Sequence, residues 1–248
     1  MKDASGIAID RVSIRNRPKG FATMRQSWGK LLFIHWRVDA AILRPLIPDR
    51  LTIDTYDGDA WIGVVPFTMW GIRASFLPPI AGLSTFHELN VRTYVHRDGV
   101  PGVWFFSLDA NNAPAVWAAR TFVHLPYFKA DISLEQDGRN IDYSSTRTHS
   151  GAPKAKLNTS WEIGAELQEA KPDSLVFFLT ERYCLYTSNR DKLYRLRIFH
   201  PPWPLREAKL SSCSSTMIEA LGIPSPADEP LIHYAEELNV EIYPLLAL

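Results

Sequence analysis

The sequence predicts a mainly β (α+β) protein: a single curved antiparallel β-barrel or cone with a few peripheral helices. Three observations carry this. Pro (18) outnumbers Gly (13), with 8 Trp, which suits many short elements with rigid turns rather than a few long helices. Strand-like runs recur at hairpin spacing, several of them meeting at Asp-Gly steps. Hydrophobic residues make up 46% of the 248, enough for a full core, and no repeat, low-complexity tract or linker divides the chain. Residues 24–248 therefore read as one domain.

In chain order, residues 1–23 are expected to be a flexible N-terminal arm. The stretch MKDASGIAIDRVSIRNRPKG is polar, turns basic and closes on Pro-Lys-Gly, with a small amphipathic element around Ile7–Ile14. LLFIHWRV (31–38) reads as a strand. Asp39 can cap a short helix over Ala40–Leu46 that Pro45 weakens and Pro48 ends. LTIDTYDG and DAWIGVVPFTMWGI are expected to form a hairpin at Asp57-Gly58, followed by a loop over 72–84. FHELNVRTYVHRDG is the clearest strand and turns at Asp98-Gly99 into VPGVWFFSLDA. Asn111 or Asn112 caps a helix with Pro114 in its first turn, and that helix must stop before Pro126.

YFKADISLEQDG and RNIDYSSTRTHS form a hairpin around Asp137-Gly138, and 150–157 is a loop. WEIGAEL, ERYCLYTS and LYRLRIFH are strands. PDSLVFFLTE is a short helix capped by Asp173 or Ser174. HPPWPL is rigid and extended, with Trp203 plugging a core end. SSTMIEALGIP is a short helix with Gly222 as its C-cap, and LIHYAEELNVEIYPL is the last strand.

Lys+Arg and Asp+Glu are 27 each, and the pI is about 7.1. A neutral chain offers no electrostatic case for nucleic acid or for an anionic membrane. Cys184 and Cys213 form no CxxC, no signal peptide is recognisable, and no apolar run approaches the roughly 20 residues a bilayer span needs. The expectation is a soluble, cytoplasmic protein. GxGxxG, GxxxxGK[ST], HExxH and GxSxG are all missing, and the seven His are scattered. No cofactor and no metal are expected.

The chemistry concentrates in FHELNVRTYV. Strand alternation puts Phe86, Glu88, Asn90, Arg92 and Tyr94 on one face and mostly apolar residues on the other. Such a polar face is either solvated or the wall of an internal pocket. In a pocket, the Arg92 fork would hold a carboxylate and a shielded Glu88 would exchange a proton. ERYCLYTS repeats the ambiguity, with Arg182, Cys184 and Tyr186 sharing a face. Cys184 reads as a small buried hydrophobe.

FIHWRV, LRPLIPDRL, YDGDAWIGVVPF, ELNVRTYV, AARTFVHLPYFKA, ERYCLYT and HPPWPL together resemble the YqjF-like family of uncharacterised bacterial proteins, from about Gln26 to Tyr243. That family is placed within the acetoacetate decarboxylase-like superfamily. The resemblance implies a curved antiparallel barrel or cone with an internal pocket. The decarboxylases carry Arg-Glu-x-x-x-aromatic-Pro-Lys-Lys, whose first lysine forms a Schiff base with a keto acid. Arg120 and Pro126 match that string without a gap, but Thr121 replaces the Glu, Leu125 the aromatic, and Tyr127-Phe128 the two lysines. Lys129 follows one place later, on the face of Tyr127 if the strand is regular. Phe86-His87-Glu88 resembles the decarboxylases' aromatic-x-Glu step.

The resemblance thus implies a kept acid and a lost amine. Glu88 and Tyr127 are the candidate catalytic residues, and Arg92, Arg120, Asn90 and Arg182 the candidate substrate-binding ones. The ligand would be a small organic acid or ketone, handled without a Schiff base. A non-enzymatic ligand sensor or assembly subunit on the same fold stands beside this, and homo-oligomerisation is left open. A displaced Schiff-base lysine at Lys129 is a third reading.

Overall fold

The computed structural model describes residues 7–79 and 84–248. Among them, twelve strands join in one sheet: β1 (Met24–Val38), β2 (Thr52–Ile53), β3 (Ala60–Ala74), β4 (Phe86–Arg97), β5 (Val100–Ala110), β6 (Tyr127–Asp137), β7 (Asn140–Arg147), β8 (Lys156–Glu166), β9 (Cys184–Asn189), β10 (Lys192–Phe199), β11 (Leu205–Ser215) and β12 (Leu231–Ala247). Three short α-helices accompany them: α1 (Ala40–Leu43), α2 (Ala113–Ala118) and α3 (Leu175–Thr180). The strand order is β10-β9-β5-β6-β7-β8-β11-β12-β1-β3-β4-β2. Further pairings of β10 with β12 and of β5 with β4 make the sheet curve round on itself. The ladders are antiparallel except where β5 pairs with β6 and β9.

Local chemistry explains the turns. At Asp57-Gly58 and Asp98-Gly99 both residues have positive φ (51° and 90°; 51° and 78°), the backbone that a twisted two-residue hairpin turn requires. Asp39, Asn112 and Ser174 each accept a hydrogen bond from a backbone N–H in the first turn of their helices. Curvature comes from irregular pairing of β1 with β3, which slips between Gly29 and Ile34 where Lys30 takes a φ of 48°. At Gly29 a Cβ would lie 2.2 Å from the Glu236 carbonyl oxygen, so β1 and β12 approach too closely there for any side chain.

Several expectations are corrected. The strand read at 31–38 starts at Met24. The hairpin at Asp57-Gly58 is only a Tyr56–Asp59 bridge, because Thr52–Ile53 pairs with the end of β4. Residues 206–213, read as no element, and Ser214–Ser215, read as the start of a helix, belong to β11 against β8. Apolar alternation is short there: Ala208 and Leu210 pack on the core between exposed Glu207 and Lys209, and the next four side chains are exposed. Of the loop expected over 72–84, residues 72–74 belong to β3, and 80–83 lie outside the described residues.

The expected flexible arm is also revised where it is described. Ile9, Ile14 and Ala22 are buried, the Asp10 N–H donates to the Gly99 carbonyl, and Arg11 pairs with buried Asp54. Ordered contacts of this kind tie 7–23 to the sheet; residues 1–6 lie outside the described residues.

Both faces of the central strands are covered. On one side Leu89, Val91 and Val95 pack with Leu32, Ile34, Val64 and Tyr143. On the other, Phe86 packs in a cluster with Phe33, Val65, Phe67, Leu108, Tyr127 and Trp203. Two-sided burial accounts for the near-continuous apolar run of LLFI in β1.

Candidate functional site

The polar residues of β4 lie inside this second cluster. Glu88 is 2% exposed, Asn90 4% and Arg92 9%, which rules out a solvated face. Tyr127 reaches the same place from another element. After α2 the chain makes one wide helical turn over Ala119–Val123 and leaves it through His124 in the left-handed conformation (φ 59°). Pro126 then accepts from the Leu108 N–H, which lays β6 parallel to β5 with Tyr127 opposite Leu108. Leu108 lies opposite Asn90, and Asn90 opposite Val65. Tyr127, Leu108, Asn90 and Val65 thus form one row across four strands. The Tyr127 hydroxyl donates to Glu88 Oε2 at 2.5 Å, and the Tyr143 hydroxyl donates to the Glu88 backbone carbonyl at 2.9 Å.

Burial lifts the Glu88 pKa to about 8; the hydrogen bonds of Tyr127 and Asn90 oppose the rise and the charge of Asp109 adds to it. At neutral pH the carboxyl is mainly protonated and able to give a proton. Burial first, then Glu88, pushes Tyr127 well above the ordinary phenol range, so it stays a hydrogen-bond donor. Asp109 sits on the other face of β5, opposite Leu89. There the Arg147 Nε donates to both of its oxygens at 3.0 Å, and burial still lifts Asp109 to about 6 against that pairing.

Arg92 is held less completely. Its guanidinium lies 5.3 Å from the Phe33 ring centre and 5.8 Å from that of Tyr94. Nη2 makes a long 3.4 Å bond to the Leu179 carbonyl, and buried Nε has no partner. His35 lies beside it. Gly63 faces both: a Cβ there would meet the His35 ring at 2.9 Å and Arg92 Cγ at 3.6 Å. Burial, followed by the nearby Arg92 charge, holds the His35 pKa well below its ordinary value, so the ring is neutral.

The remaining expected site residues fall elsewhere. Arg120 is exposed, and its Nη1 donates to the Tyr127 backbone carbonyl at 2.6 Å; it braces the turn from outside. Arg182 donates to Asp54 at 2.7 Å and to the Phe178 carbonyl at 2.6 Å, which commits it to an ion pair that Asp54 also shares with Arg11. Lys129 is exposed although Tyr127 is buried. Cys184 is buried, which pushes its thiol up to about 12, the behaviour of an inert hydrophobe. His35 and the Asp109–Arg147 pair were not singled out in the sequence; a His amid FIHW carries no motif, and Asp109 and Arg147 are 38 residues apart.

Two surface clefts flank the site without containing Glu88. One, of about 320 Å³, is lined by Phe105, His124, Leu125, Pro126 and Tyr186 among others. The other, of about 490 Å³, opens where β11 and β12 part after only two paired positions. Its lining includes His233, which pairs with Phe33 in β1. Among the described residues no group of three His, Cys, Asp or Glu is gathered to hold a metal, and no helix is long and apolar enough to cross a membrane.

Comparison with known proteins places this architecture. It superposes on the enduracididine biosynthesis enzyme MppR complexed with pyruvate with a TM-score of 0.62, 11% identity, and coverage of 94% of this chain and 93% of that one. An acetoacetate decarboxylase-like enzyme from Sphingomonas wittichii RW1 gives 0.60, at 11% identity over 92% and 94%. Acetoacetate decarboxylase gives 0.59, at 17% over 93% and 90%. The fold is acetoacetate decarboxylase-like. The chain is also 46% identical to the uncharacterised protein YqjF of Bacillus subtilis (strain 168) over 228 residues, 92% of this chain and 93% of that one. The profile of the uncharacterised conserved protein family DUF2071 matches residues 25–239, and with both matches spanning most of its length the chain belongs to that family of YqjF-like proteins.

Proposed function

We propose that the protein binds a small organic acid or ketone inside the curved sheet and exchanges a proton with it through Glu88. The observation that carries this is the buried Glu88–Tyr127 pair at 2.5 Å. It stands where alignment with the decarboxylase string puts Tyr127 on the Schiff-base lysine. Arg92, two residues from Asn90 and four from Glu88 on one strand face, is the anion anchor; its free Nε supports the assignment. Asn90 stands between them on the same strand face. Tyr127 gives its one hydroxyl hydrogen to Glu88 Oε2, and so positions that carboxyl against the ligand and biases it toward its ionised form. Arg120 and Arg182 have no direct part in this reading. MppR, of the same fold, is known in complex with pyruvate, which supports the ligand class.

A protonated Glu88 has the right state to give its proton to a carbonyl oxygen or enolate carbon and, once ionised, to take one back. Loss of both lysines favours a second reading, in which the same site binds without turnover and the chain is a ligand sensor or assembly subunit. A thermal-shift and calorimetric screen of short carboxylic acids and ketones tests both, with Arg92→Gln in parallel. Ligand at 100 times its Kd stabilises the native state by about 2.7 kcal/mol. Binding that disappears in Arg92→Gln, with solvent-deuterium exchange into the ligand dependent on Glu88, is the expected result. Binding without exchange selects the sensor reading. Binding that is indifferent to Arg92 removes the anchor, and no binding across the panel removes the site.

A further inference from the structure

The hydrogen-bond state of the groups around Arg92 narrows the ligand further, given the site proposed above. The Tyr94 hydroxyl lies 2.7 Å from the Leu179 carbonyl oxygen. Two oxygens that close need a hydrogen between them, and a carbonyl has none, so Tyr94 donates there. Tyr94 has no second hydrogen. Its 2.6 Å contact with His35 Nε2 must therefore be donated by His35. With the proton on Nε2 and the ring neutral, Nδ1 carries a bare lone pair. That Nδ1 is buried and has no partner, and so is Asn90 Oδ1. Beside them stands a buried unpaired donor, Arg92 Nε, distinct from the further unpaired donors Arg182 Nη2 and Trp203 Nε1.

The three groups belong to one surface. His35 pairs with Gly63 in β3, and Gly63 pairs with Arg92 in β4. Asn90 is the next residue on that face of β4. Phe33 ties the group together, since its ring stacks 5.8 Å from His35 and lies under the Arg92 guanidinium. Buried polar groups left unpaired are costly, and a ligand that answered all three would remove that cost. Arg92 asks for an acceptor, which a carboxylate supplies. His35 and Asn90 ask for a donor. A simple keto acid offers only lone pairs, and its ketone oxygen would face the lone pairs of His35 and Asn90.

We propose that the ligand is a hydroxy acid or another short acid bearing an O–H or N–H donor, with His35 and Asn90 as the residues that select the donor. The carboxylate meets Arg92, and the hydroxyl hydrogen points at His35 Nδ1 or Asn90 Oδ1. Sites built to pair a substrate hydroxyl discriminate strongly against analogues that lack it.

The test compares matched acids on the full-length protein by calorimetry: lactate against pyruvate, and 3-hydroxybutyrate against acetoacetate. Each pair shares its carbon skeleton and charge. At least about ten-fold tighter binding of a hydroxy acid than of its keto partner is expected, falling toward parity in His35→Phe, which keeps a ring but has no lone pair. Equal or tighter binding of both keto acids overturns the inference while leaving the acid-binding site standing. No binding by any of the four overturns the inference together with the site. Should His35→Phe not fold, Asn90→Val serves in its place, and the wild-type comparison decides on its own.

Discussion

Replacing Glu88 by Gln removes one buried titration while keeping the shape of a protonated carboxyl. Burial lifts this group from the ordinary 4.5 to about 8. Below about pH 4.5 it is protonated in folded and unfolded chains alike. As pH rises from there toward 8, the unfolded chain loses its proton first, so the folded state of the wild type loses stability. Above about 8 both forms are ionised and the loss is complete. The slope is about 1.4 kcal/mol per pH unit and flattens near the folded pKa. Between pH 6 and pH 8 the wild type should therefore lose about 2 kcal/mol relative to Glu88→Gln. For a chain of this size that is roughly 4–8 °C in Tm.

The difference between the two proteins is the quantity to read. His35, His200 and His233 have pKa values lowered by burial. They act in the opposite sense, giving stability above about pH 6.5 that is lost as pH falls, and they are common to both proteins. Urea melts of ligand-free wild type and Glu88→Gln at pH 6, 7 and 8 make the measurement. Parallel stability curves, or a gap that closes as pH rises, would show that Glu88 is charged at neutral pH, and the proton-donor role would fall with it.

Tyr127→Phe removes the hydrogen bond that favours ionised Glu88, so the Glu88 pKa should climb further; carbon-13 titration of labelled Glu reads it, and an unchanged value would mean the pair is not coupled. Arg147→Met leaves Asp109 buried without its cation, a loss of about 3–5 kcal/mol, much of which Asp109→Leu in the same chain should restore; urea melts of the two variants check this. Pyruvate followed by borohydride should leave no adduct in the mass spectrum, because the aligned lysine positions hold Tyr127 and Phe128 and Lys129 faces solvent. An adduct abolished by Lys129→Ala would reinstate Schiff-base chemistry. Gly63→Ala pushes a methyl group into the His35 ring, where the ideal Cβ lies 2.9 Å away, at a cost of about 1–3 kcal/mol. A melt that leaves stability unchanged would mean the ring has room to move aside.

Local features are legible along the chain. Asp-Gly at 57–58 and 98–99 is readable because few residue pairs accept two consecutive positive φ values. Asp39 is readable as a cap because it places a short acceptor over a first turn, and the other two caps are readable to within one residue, the fold choosing Asn112 over Asn111 and Ser174 over Asp173. Alternation in FHELNVRTYV put Glu88, Asn90 and Arg92 on one face, and the resemblance to the decarboxylase family put Tyr127 near them. Which side of that face was dry could not be read, since a polar strand face looks the same against water or a sealed interior.

The rest depends on pairings between segments distant in the chain. β11 alternates only at Ala208 and Leu210, and it is a strand because β8 offers it a partner over most of its length. Thr52–Ile53 joins β4 and not its neighbour β3. The basic arm is fixed by a carboxylate 43 residues away. Arg182, equal to Arg92 on paper, is paired with Asp54 across 128 residues, while the Arg92 guanidinium lies against the Phe33 and Tyr94 rings. The same holds for protonation: one glutamate in a line of sequence has an ordinary pKa, and only the layers that the fold packs around Glu88 remove its water and make it an acid at neutral pH.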